Sequence, residues 1–152
     1  MTKQNRSTTE KKIGVISDTH GLLRPTVNDV FKGVDMIIHA GDIGTVALYR
    51  ALEKIAPVTA VFGNMDNGPL INFLSETEFI RVNGFGIYVL HDIFMLDRDP
   101  AVEGIHLVIS GHTHRPELTA GKGVQYLNPG SAGHRRFHLP ISVAILTISE
   151  SR

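Results

Sequence analysis

The sequence has no cysteine and no tryptophan among its 152 residues. Because cysteine is absent, disulfides and thiolate metal sites are excluded, and a tight transition-metal site must use imidazole, carboxylate and amide groups. Neither sign of charge is in excess, since fifteen Lys and Arg balance fifteen Asp and Glu. A broad electrostatic hold on long nucleic acid or an anionic membrane is therefore not expected. No apolar run has the eighteen or more residues of a membrane span. These absences predict a soluble, cytoplasmic protein with no membrane partner.

The length is that of one domain. A chain of about 150 residues buries roughly 70% of its unfolded surface, which is enough for a core without cross-links. Residues 1–12 are polar and precede the first apolar run, and we expect them to be a disordered tail. No linker, repeat or low-complexity stretch interrupts the remainder. Residues 13–152 are therefore predicted to form a single domain.

Apolar runs and turn signals predict the order of the elements. In the first half, strands are predicted at residues 13–17, 36–39 and 58–62, and helices at 25–32 and 45–56. Alternation of this kind indicates a parallel sheet. In the second half, strands at 79–82 and 87–90 flank the hairpin signal Asn83-Gly84. Further strands are predicted at 107–110, 124–127 and 141–148, with a short helix within 93–103. The prediction is an α/β fold with two sheet layers and helices outside.

Polar residues follow five of these strands, and four of the chain's eight histidines are among them. Functional sites of parallel α/β sheets lie beyond the carboxyl ends of the strands, so these residues are expected at one rim. Gly41, Gly63 and Gly111 precede several of them and allow a sharp turn or a close approach. In chain order, the residues are Asp18, His20, Asp42, Asn64, His91, His112 and His114.

Each of these residues also has a structural explanation when it is taken alone. Asp18 and Asp42 are typical turn formers or helix caps, and Asn64 begins a segment rich in turn residues. An isolated histidine more often packs or faces solvent than binds a metal. His39, inside an apolar run, is interpreted in that way, as are His106 and His138. Only the complete set favours a metal site.

The complete set resembles the calcineurin-like metallophosphoesterase family, and most closely its small bacterial and archaeal phosphodiesterase branch. Asn128-Pro129-Gly130-Ser131 resembles that branch as well, and the resemblance covers nearly the whole chain after residue 12. It implies a two-layer β-sandwich of mixed sheets flanked by helices (α/β/β/α). The motifs that carry it are Asp18-Thr19-His20, Gly41-Asp42, Gly63-Asn64, His91 and Gly111-His112-Thr113-His114.

The resemblance implies a site for two divalent metal ions. One metal would be held by Asp18, His20 and His114, and the other by Asn64, His91 and His112, with Asp42 as the bridge. We expect Mn²⁺ first, with Fe²⁺, Zn²⁺, Ni²⁺ or Co²⁺ as alternatives, since Mg²⁺ prefers oxygen ligands. A hydroxide held by both metals would attack a small phosphodiester. Asp42, Asn64 and His112 are the implied catalytic residues.

The chain departs from the family pattern at two positions. Many members have a histidine where this chain has Met65, and that histidine is taken as the general acid for the leaving group. Its absence favours aryl over alkyl phosphodiesters as substrates, because an alkoxide needs a proton. Asp92 stands where relatives commonly have glycine, and it either orients His91 or faces solvent.

A basic segment follows the Asn128 turn. Arg135 or Arg136 could bind a substrate phosphate in a bidentate manner, or the segment is simply a solvated loop. His134 is a candidate replacement proton donor, or else a surface histidine.

An alternative function is a retromer-subunit-like scaffold that keeps the fold and binds protein partners with little catalysis. The filled ligand positions favour the enzyme, because a scaffold is free to lose ligands. A structural zinc ion takes four ligands, so seven candidates are too many for one such ion. The glycine-rich nucleotide motifs and the serine hydrolase motif are absent from the sequence. A homodimer or higher homo-oligomer is also considered, because the predicted hairpin is exposed.

Overall fold

Two β-sheets pack face to face in the computed structural model, which describes residues 10–150. The first sheet has four strands in the order β3-β2-β1-β9. Strands β1, β2 and β3 are parallel, and β9 is antiparallel to β1. Their bounds are Glu10–Ile16 for β1, Met36–His39 for β2, Val58–Ala60 for β3 and Ala144–Ser149 for β9.

The second sheet has five strands in the order β4-β5-β6-β8-β7. Strands β5, β6 and β8 are parallel, whereas β4 and β7 are antiparallel edge strands. Both sheets are therefore mixed, as the predicted fold class requires. The bounds are Thr77–Val82 for β4, Phe85–Leu90 for β5, Leu107–Ile109 for β6, Glu117–Gly121 for β7 and Val124–Asn128 for β8.

Three short helices cover the outer face of the first sheet. They are α1 (Pro25–Val30), α2 (Val46–Glu53) and α3 (Pro69–Phe73). The side chain of Thr45 caps α2, because its Oγ1 accepts a hydrogen bond of 3.1 Å from Leu48 N. Val27, Leu52 and Leu70, one from each helix, belong to a single apolar cluster with residues of β1, β2 and β3. The helices thus shield the first sheet from solvent.

The alternation of side chains along β1 assigns its residues to two cores. Ile13 and Val15 point between the sheets, where they pack with Ile87 and Val89 of β5. Ile16 points the other way, into the cluster beneath the helices. Gly14 faces the same way as Ile16 and leaves room for the ring of Phe31, which follows α1.

The outer face of the second sheet lacks the predicted helix. Residues 93–103 form one turn of 3₁₀-helix, Ile93–Met95, followed by turns. A helix continued through this segment would place Pro100 in its interior, where proline has no N–H to donate and its ring clashes with the preceding turn. Ile93 and Leu96 nevertheless cover Tyr88 and other apolar residues of the sheet.

Several other boundaries differ from those predicted. Residues 10–12 belong to β1, whereas residues 1–9 of the expected tail lie outside the described residues. The last strand begins at Ala144 and not at residue 141, because Ile141 forms only an isolated bridge with Ser131. Neither β7 nor α3 was predicted. The hairpin is confirmed, and both turn residues have the positive φ of a type I′ turn, 51° at Asn83 and 80° at Gly84. Residues 10–150 contain no helix with the length and hydropathy that a membrane span requires.

Replacement of Gly14 by alanine is expected to destabilise the protein by about 1–3 kcal/mol. The new Cβ would lie 2.8 Å from the Phe31 ring, and the close-packed core leaves no room to separate them. Urea denaturation of Gly14→Ala and wild type measures the difference. Gly121→Ala is the matched control, because a Cβ there meets no atom within 4 Å. Equal losses in the two variants would contradict this account of the packing.

Candidate metal centre

The candidate ligands lie at one rim, where the carboxyl ends of parallel strands of both sheets meet. Asp18 and His20 follow β1, Asp42 follows β2 and Asn64 follows β3. The second sheet contributes histidines alone. His91 comes directly after β5, and His112 and His114 follow β6. The rim expected from the sequence is thus assembled from two sheets.

The carboxylate of Asp18 lies at the centre of this group and is completely buried. Its Oδ2 accepts hydrogen bonds from Ser17 Oγ at 2.7 Å and from His112 N at 2.9 Å. Its Oδ1 has no hydrogen-bond partner among the described residues. Instead, Oδ1 faces three imidazoles, at 3.8 Å from Nε2 of His20, 3.8 Å from Nε2 of His91 and 3.4 Å from Nε2 of His114.

Asp42 stands between the histidine that follows β1 and the histidine that follows β5. Its Oδ2 is 3.7 Å from His20 Nε2 and 3.1 Å from His91 Nε2. Its Oδ1 accepts a hydrogen bond of 2.8 Å from Met65 N. Burial raises the pKa of the Asp42 carboxyl, but His91 and the Met65 N–H outweigh burial, so that the pKa lies below its usual value. Asp42 is therefore an anion held in place from both sides.

His91 is oriented by the backbone of the first sheet. Its Nδ1 bonds the carbonyl oxygen of Ala40 at 2.8 Å, which makes Nδ1 the protonated nitrogen and turns Nε2 towards the carboxylates. Burial lowers the pKa of His91, but the carboxylates of Asp42 and Asp18 outweigh that effect and raise the pKa above its usual value. The arrangement favours a positive charge beside the carboxylates, whether a proton or a metal supplies it.

Asn64 and His112 complete the side of the site next to His91. The Oδ1 of Asn64 is 3.2 Å from His112 Nδ1, and the His91 and His112 rings meet edge to face, with centroids 5.1 Å apart. On the opposite side, the rings of His20 and His114 lie 5.5 Å apart. The histidines thus fall into two pairs, one on each side of the carboxylates.

The site contains polar atoms that the protein itself does not satisfy. A buried polar atom without a partner is costly, and such atoms often indicate a missing ion or water. Two triads have ligand atoms within 4.8 Å of one another: Asp18 with His20 and His114, and Asp18 with Asp42 and His91. Nitrogen and oxygen donors of this kind suit borderline divalent cations, so the residues fit the metal that the sequence implied. Within residues 10–150, the buried atoms without a hydrogen-bond partner are Asp18 Oδ1, His20 Nε2, His91 Nε2 and His114 Nδ1.

The backbone at the candidate ligands is in a strained conformation. Five of them have positive φ, a region that residues other than glycine rarely adopt. Such strain persists only where surrounding contacts enforce it, and it is concentrated at functional sites. Here Asp18 N donates to Gly41 O at 3.0 Å, and His20 N donates to Asp42 O at 2.9 Å. The loops after β1 and β2 therefore fix each other. The five residues are Asp18, His20, Asp42, His112 and His114.

Two of the glycines singled out in the sequence allow the loops to approach closely. A Cβ on Gly63 would collide with the Asp42 carboxylate. A Cβ on Gly111 would collide with Ser17 Oγ and lie 2.6 Å from Asp18 Oδ2. Both positions were predictable from the sequence, because a glycine directly before a polar ligand indicates close backbone approach.

Two further residues hold the loops together: Asp66, which sequence reasoning missed, and Asn128, which belonged to a quoted motif but was given no role. The buried carboxylate of Asp66 accepts hydrogen bonds from the N–H groups of Ile43, Gly44 and Gly63, at 3.1, 2.9 and 3.0 Å. It thereby joins the loop after β2 to the loop after β3. The Asn128 amide donates to Gly111 O at 2.9 Å. The only signal for Asp66 was its place in a turn-rich segment, which gave no indication of partners twenty residues away.

His39 supports the site as a neutral, completely buried side chain. Its Nδ1 accepts a hydrogen bond of 3.0 Å from Gly41 N, and its Nε2 lies 3.0 Å from Thr19 Oγ1. Burial, reinforced by the charge of His91, lowers the pKa of His39 to about 3. The interpretation of His39 as a packed strand-end residue agrees with this environment.

A cleft of about 400 Å³ opens over the ligands. Besides five of the candidate ligands, Met65, His134, Arg135 and Arg136 line it. Arg135 donates to Leu139 O within its own loop, at 3.2 Å. Burial and the nearby charge of Arg136 both lower the pKa of His114, against the opposing effect of Asp18, and the net pKa is below its usual value. The basic segment therefore lines the cleft and is exposed, a position that both the phosphate-binding and the solvated-loop interpretations allow.

The Asp92 carboxylate forms its hydrogen bond with a backbone N–H and not with the His91 ring. Its Oδ1 accepts a hydrogen bond of 3.1 Å from Phe94 N and caps the 3₁₀ turn. Its Oδ2 instead faces His112 Nε2 at 3.9 Å. The chain turns after β5, so the side chain of Asp92 is directed towards the loop after β6, where His112 lies.

The chain belongs to the calcineurin-like phosphoesterase superfamily, whose domain model matches residues 12–151. A probable metallophosphoesterase of Methanocaldococcus jannaschii is 37% identical over 132 residues, which are 78% of this chain and 67% of that protein. Membership implies a metal-dependent phosphoester hydrolase, in agreement with the donor set.

Solved structures share the fold. A Vps29 single mutant from Entamoeba histolytica is 26% identical, with a TM-score of 0.74 over 92% of this chain and 87% of that one. A predicted phosphoesterase from Streptococcus pneumoniae is 25% identical, with a TM-score of 0.73 over 93% of this chain and 85% of that one. The two similarities confirm the predicted fold class, and they include both an enzyme-like and a sorting-protein relative.

Divalent metal is expected to stabilise the protein through the carboxylates. A ligand that binds only the folded state stabilises it by about 2.7 kcal/mol at a hundred times its dissociation constant. Mn²⁺ should therefore raise the melting temperature of the chelator-treated protein, and Asp42→Asn should remove most of that rise. Asp29→Asn, an exposed position on α1, is the matched control. An unchanged response of Asp42→Asn to the metal would contradict the assignment.

Acidification is expected to destabilise the metal-free protein through His39. Its pKa falls from 6.5 in the unfolded chain to about 3 in the fold, so the unfolded state takes up the proton first as the pH falls below 6.5. Between pH 7 and pH 5 this costs about 2 kcal/mol. Urea denaturation at both pH values should show a smaller loss for His39→Gln than for wild type. An identical loss in the two proteins would contradict the neutral buried imidazole.

Proposed function

We propose that the protein is a metal-dependent phosphodiesterase that hydrolyses small phosphodiesters at a centre for two divalent ions. The observation that carries this proposal is the position of Asp42 Oδ2, 3.7 Å from His20 Nε2 and 3.1 Å from His91 Nε2. This carboxylate is shared by the two histidine pairs, as a bridging ligand must be. The proposed bridge is Asp42, with Asp18, His20 and His114 on one side and Asn64, His91 and His112 on the other.

Two divalent ions, when bound, supply Lewis-acid stabilisation of the phosphoryl charge and lower the pKa of water. The chain's own residues prepare the site for this chemistry. Asp18 and Asp42 fix the ligands between the sheets, and the neutral Asn64 amide adds a ligand without adding negative charge. Two dications therefore outweigh the two carboxylates and leave the centre attractive to a phosphate. Mn²⁺ remains our first expectation, with Fe²⁺, Zn²⁺, Ni²⁺ or Co²⁺ as alternatives.

The volume of the cleft suits a small substrate. Its volume of about 400 Å³ lies near the lower end of the range for small-molecule sites. Arg136 is the better placed of the two arginines to bind a non-reacting phosphate oxygen, because its charge acts on His114 whereas Arg135 donates to Leu139 O. A guanidinium binds such an oxygen with directed hydrogen bonds that a lysine cannot reproduce.

The segment Gly63-Asn64-Met65 positions a ligand but provides no proton donor for the leaving group. The Met65 N–H holds Asp42 at 2.8 Å, while the Met65 side chain, 64% exposed, has no proton to donate. His134 is the remaining candidate donor in the same cleft. General acid catalysis typically contributes about 10²–10⁴-fold, and an alkoxide depends on it more than a phenolate does.

Aryl phosphodiesters are therefore expected to be cleaved at least about 100-fold faster than matched alkyl phosphodiesters. The measurement is a titration of the chelator-treated protein with Mn²⁺, assayed on bis(4-nitrophenyl) phosphate and on a dialkyl phosphate. Met65→His should narrow the difference, Asp42→Asn should abolish turnover with the fold intact, and Asp29→Asn should leave turnover unchanged. Equal rates on the two substrates would contradict the leaving-group argument, and metal-independent turnover would contradict the proposed function.

A second candidate function is a protein-binding scaffold, favoured by the similarity to the Vps29 structure. Exposed apolar side chains on the described surface are compatible with docking, notably Phe94 and Phe137, which are 86% and 85% exposed. The same titration separates the two functions. A scaffold would bind metal without metal-dependent hydrolysis.

A further inference from the structure

A second cleft of about 400 Å³ borders the candidate metal centre. Its volume equals that of the first cleft, which His134, Arg135 and Arg136 line. Asn64 lines both clefts, and the buried side chain of His91 lines the second. A phosphodiester has two alcohol substituents, and cavities of this size hold small organic groups. A phosphate at the candidate ligands therefore has a cavity on either side for its substituents.

The two clefts differ in charge. Glu76, Asp92 and Asp97 line the second one, which we call the acidic cleft, and its described lining includes no lysine or arginine. Neither Glu76 nor Asp97 forms an ion pair within residues 10–150. Arg98, the next residue in the chain, is paired with Glu103 at 3.0 Å. The negative charge of the acidic cleft is therefore left for a cation from outside the protein.

Apolar side chains form part of the same wall, and they restrict the kind of cation. Phe62, Leu90 and Met95 line the acidic cleft together with the carboxylates. An aromatic ring attracts an ammonium group, and the flexible thioether of methionine packs against methyl and methylene groups. A bare metal ion has no such groups to bury. The combination favours an organic ammonium ion over an inorganic cation.

We propose that the acidic cleft binds the ammonium end of an alkylammonium phosphodiester, such as a choline or ethanolamine ester, whose phosphate lies at the candidate metal ligands. The carboxylates of the acidic cleft repel the phosphate, and Arg135 and Arg136 repel the ammonium group. The opposite charges of the two clefts thus orient such a substrate in one direction. The inference names a substrate class for the proposed function and rests on it, whereas binding of an ammonium ion by the cleft does not.

Choline binding to the metal-free full chain tests the acidic cleft without any turnover. Choline should shift the amide ¹H–¹⁵N signals of residues 92–97, and its uncharged isostere 3,3-dimethylbutanol should bind about 10-fold more weakly. The double substitution Glu76→Gln and Asp97→Asn should weaken choline binding by about 3–10-fold, since each exposed carboxylate contributes modestly. Asp99→Asn is the matched control, because this exposed carboxylate of the same segment does not line the cleft.

Hydrolysis by the Mn²⁺-loaded protein tests the substrate class. The two esters compared are 4-nitrophenyl phosphocholine and its uncharged isostere, 4-nitrophenyl 3,3-dimethylbutyl phosphate. Water cleaves the aryl P–O bond in both, so the leaving group is 4-nitrophenolate in each case. The value of kcat/KM should be about 10-fold higher for the choline ester. The ratio should fall towards one in the double variant and stay at the wild-type value in Asp99→Asn.

The outcomes separate this inference from the proposed function. Choline binding no tighter than that of 3,3-dimethylbutanol, or undiminished in the double variant, would overturn the inference. Mn²⁺-dependent hydrolysis without preference for the choline ester would also overturn it and would leave the proposed function standing. Choline binding without hydrolysis of either ester would contradict the proposed function. Should the double variant not fold, each single substitution should still weaken choline binding, and wild-type affinity in both would overturn the inference.

Discussion

The buried carboxylate of Asp18 is the constraint to which the other parts of the site conform. An ionised group with no exposure to water is tolerated only where its charge is compensated. One of its oxygens is satisfied by Ser17 and by the His112 N–H, and the other is left to three imidazoles. Three features bring polar groups towards the Asp18 carboxylate. They are the close approach of Gly111, the positive φ of the ligand residues and the hydrogen bonds between the loops after β1 and β2.

The same arrangement explains why histidines near one carboxylate differ in their ionisation. His91 lies against both Asp18 and Asp42, and these two charges outweigh burial and raise its pKa. The pKa of His114 is lowered, because burial and the nearby Arg136 outweigh the attraction of Asp18. His39, one layer further in, faces the backbone and Thr19 and stays neutral. The site therefore has basic groups at the cleft, carboxylates beneath them and a neutral supporting histidine further in.

The sequence predicted the fold best where a buried apolar strand is followed directly by the polar residues of the site. Strands β1, β2, β5 and β6 each contain an apolar run, and a glycine or a candidate ligand follows each strand within two residues. Their positions and the rim that they create could therefore be predicted. Strand β7 is exposed throughout and has no apolar pattern, and α3 has only five residues, so periodicity had little to detect. The roles of Asp66 and Asp92 depend on partners distant in sequence or across a loop. Only the folded chain brings those partners within reach.

The ligands come from both layers of the sandwich, and this has a mechanical consequence. A cation that coordinates Asp18 and His114 would join the first sheet to the second across a loop of roughly a hundred residues. In the chain-entropy account of covalent cross-links, closing a loop of that size removes freedom from the unfolded chain equivalent to about 4–5 kcal/mol. A protein without cysteine would thus obtain from its cofactor the kind of tether that a disulfide provides in secreted domains.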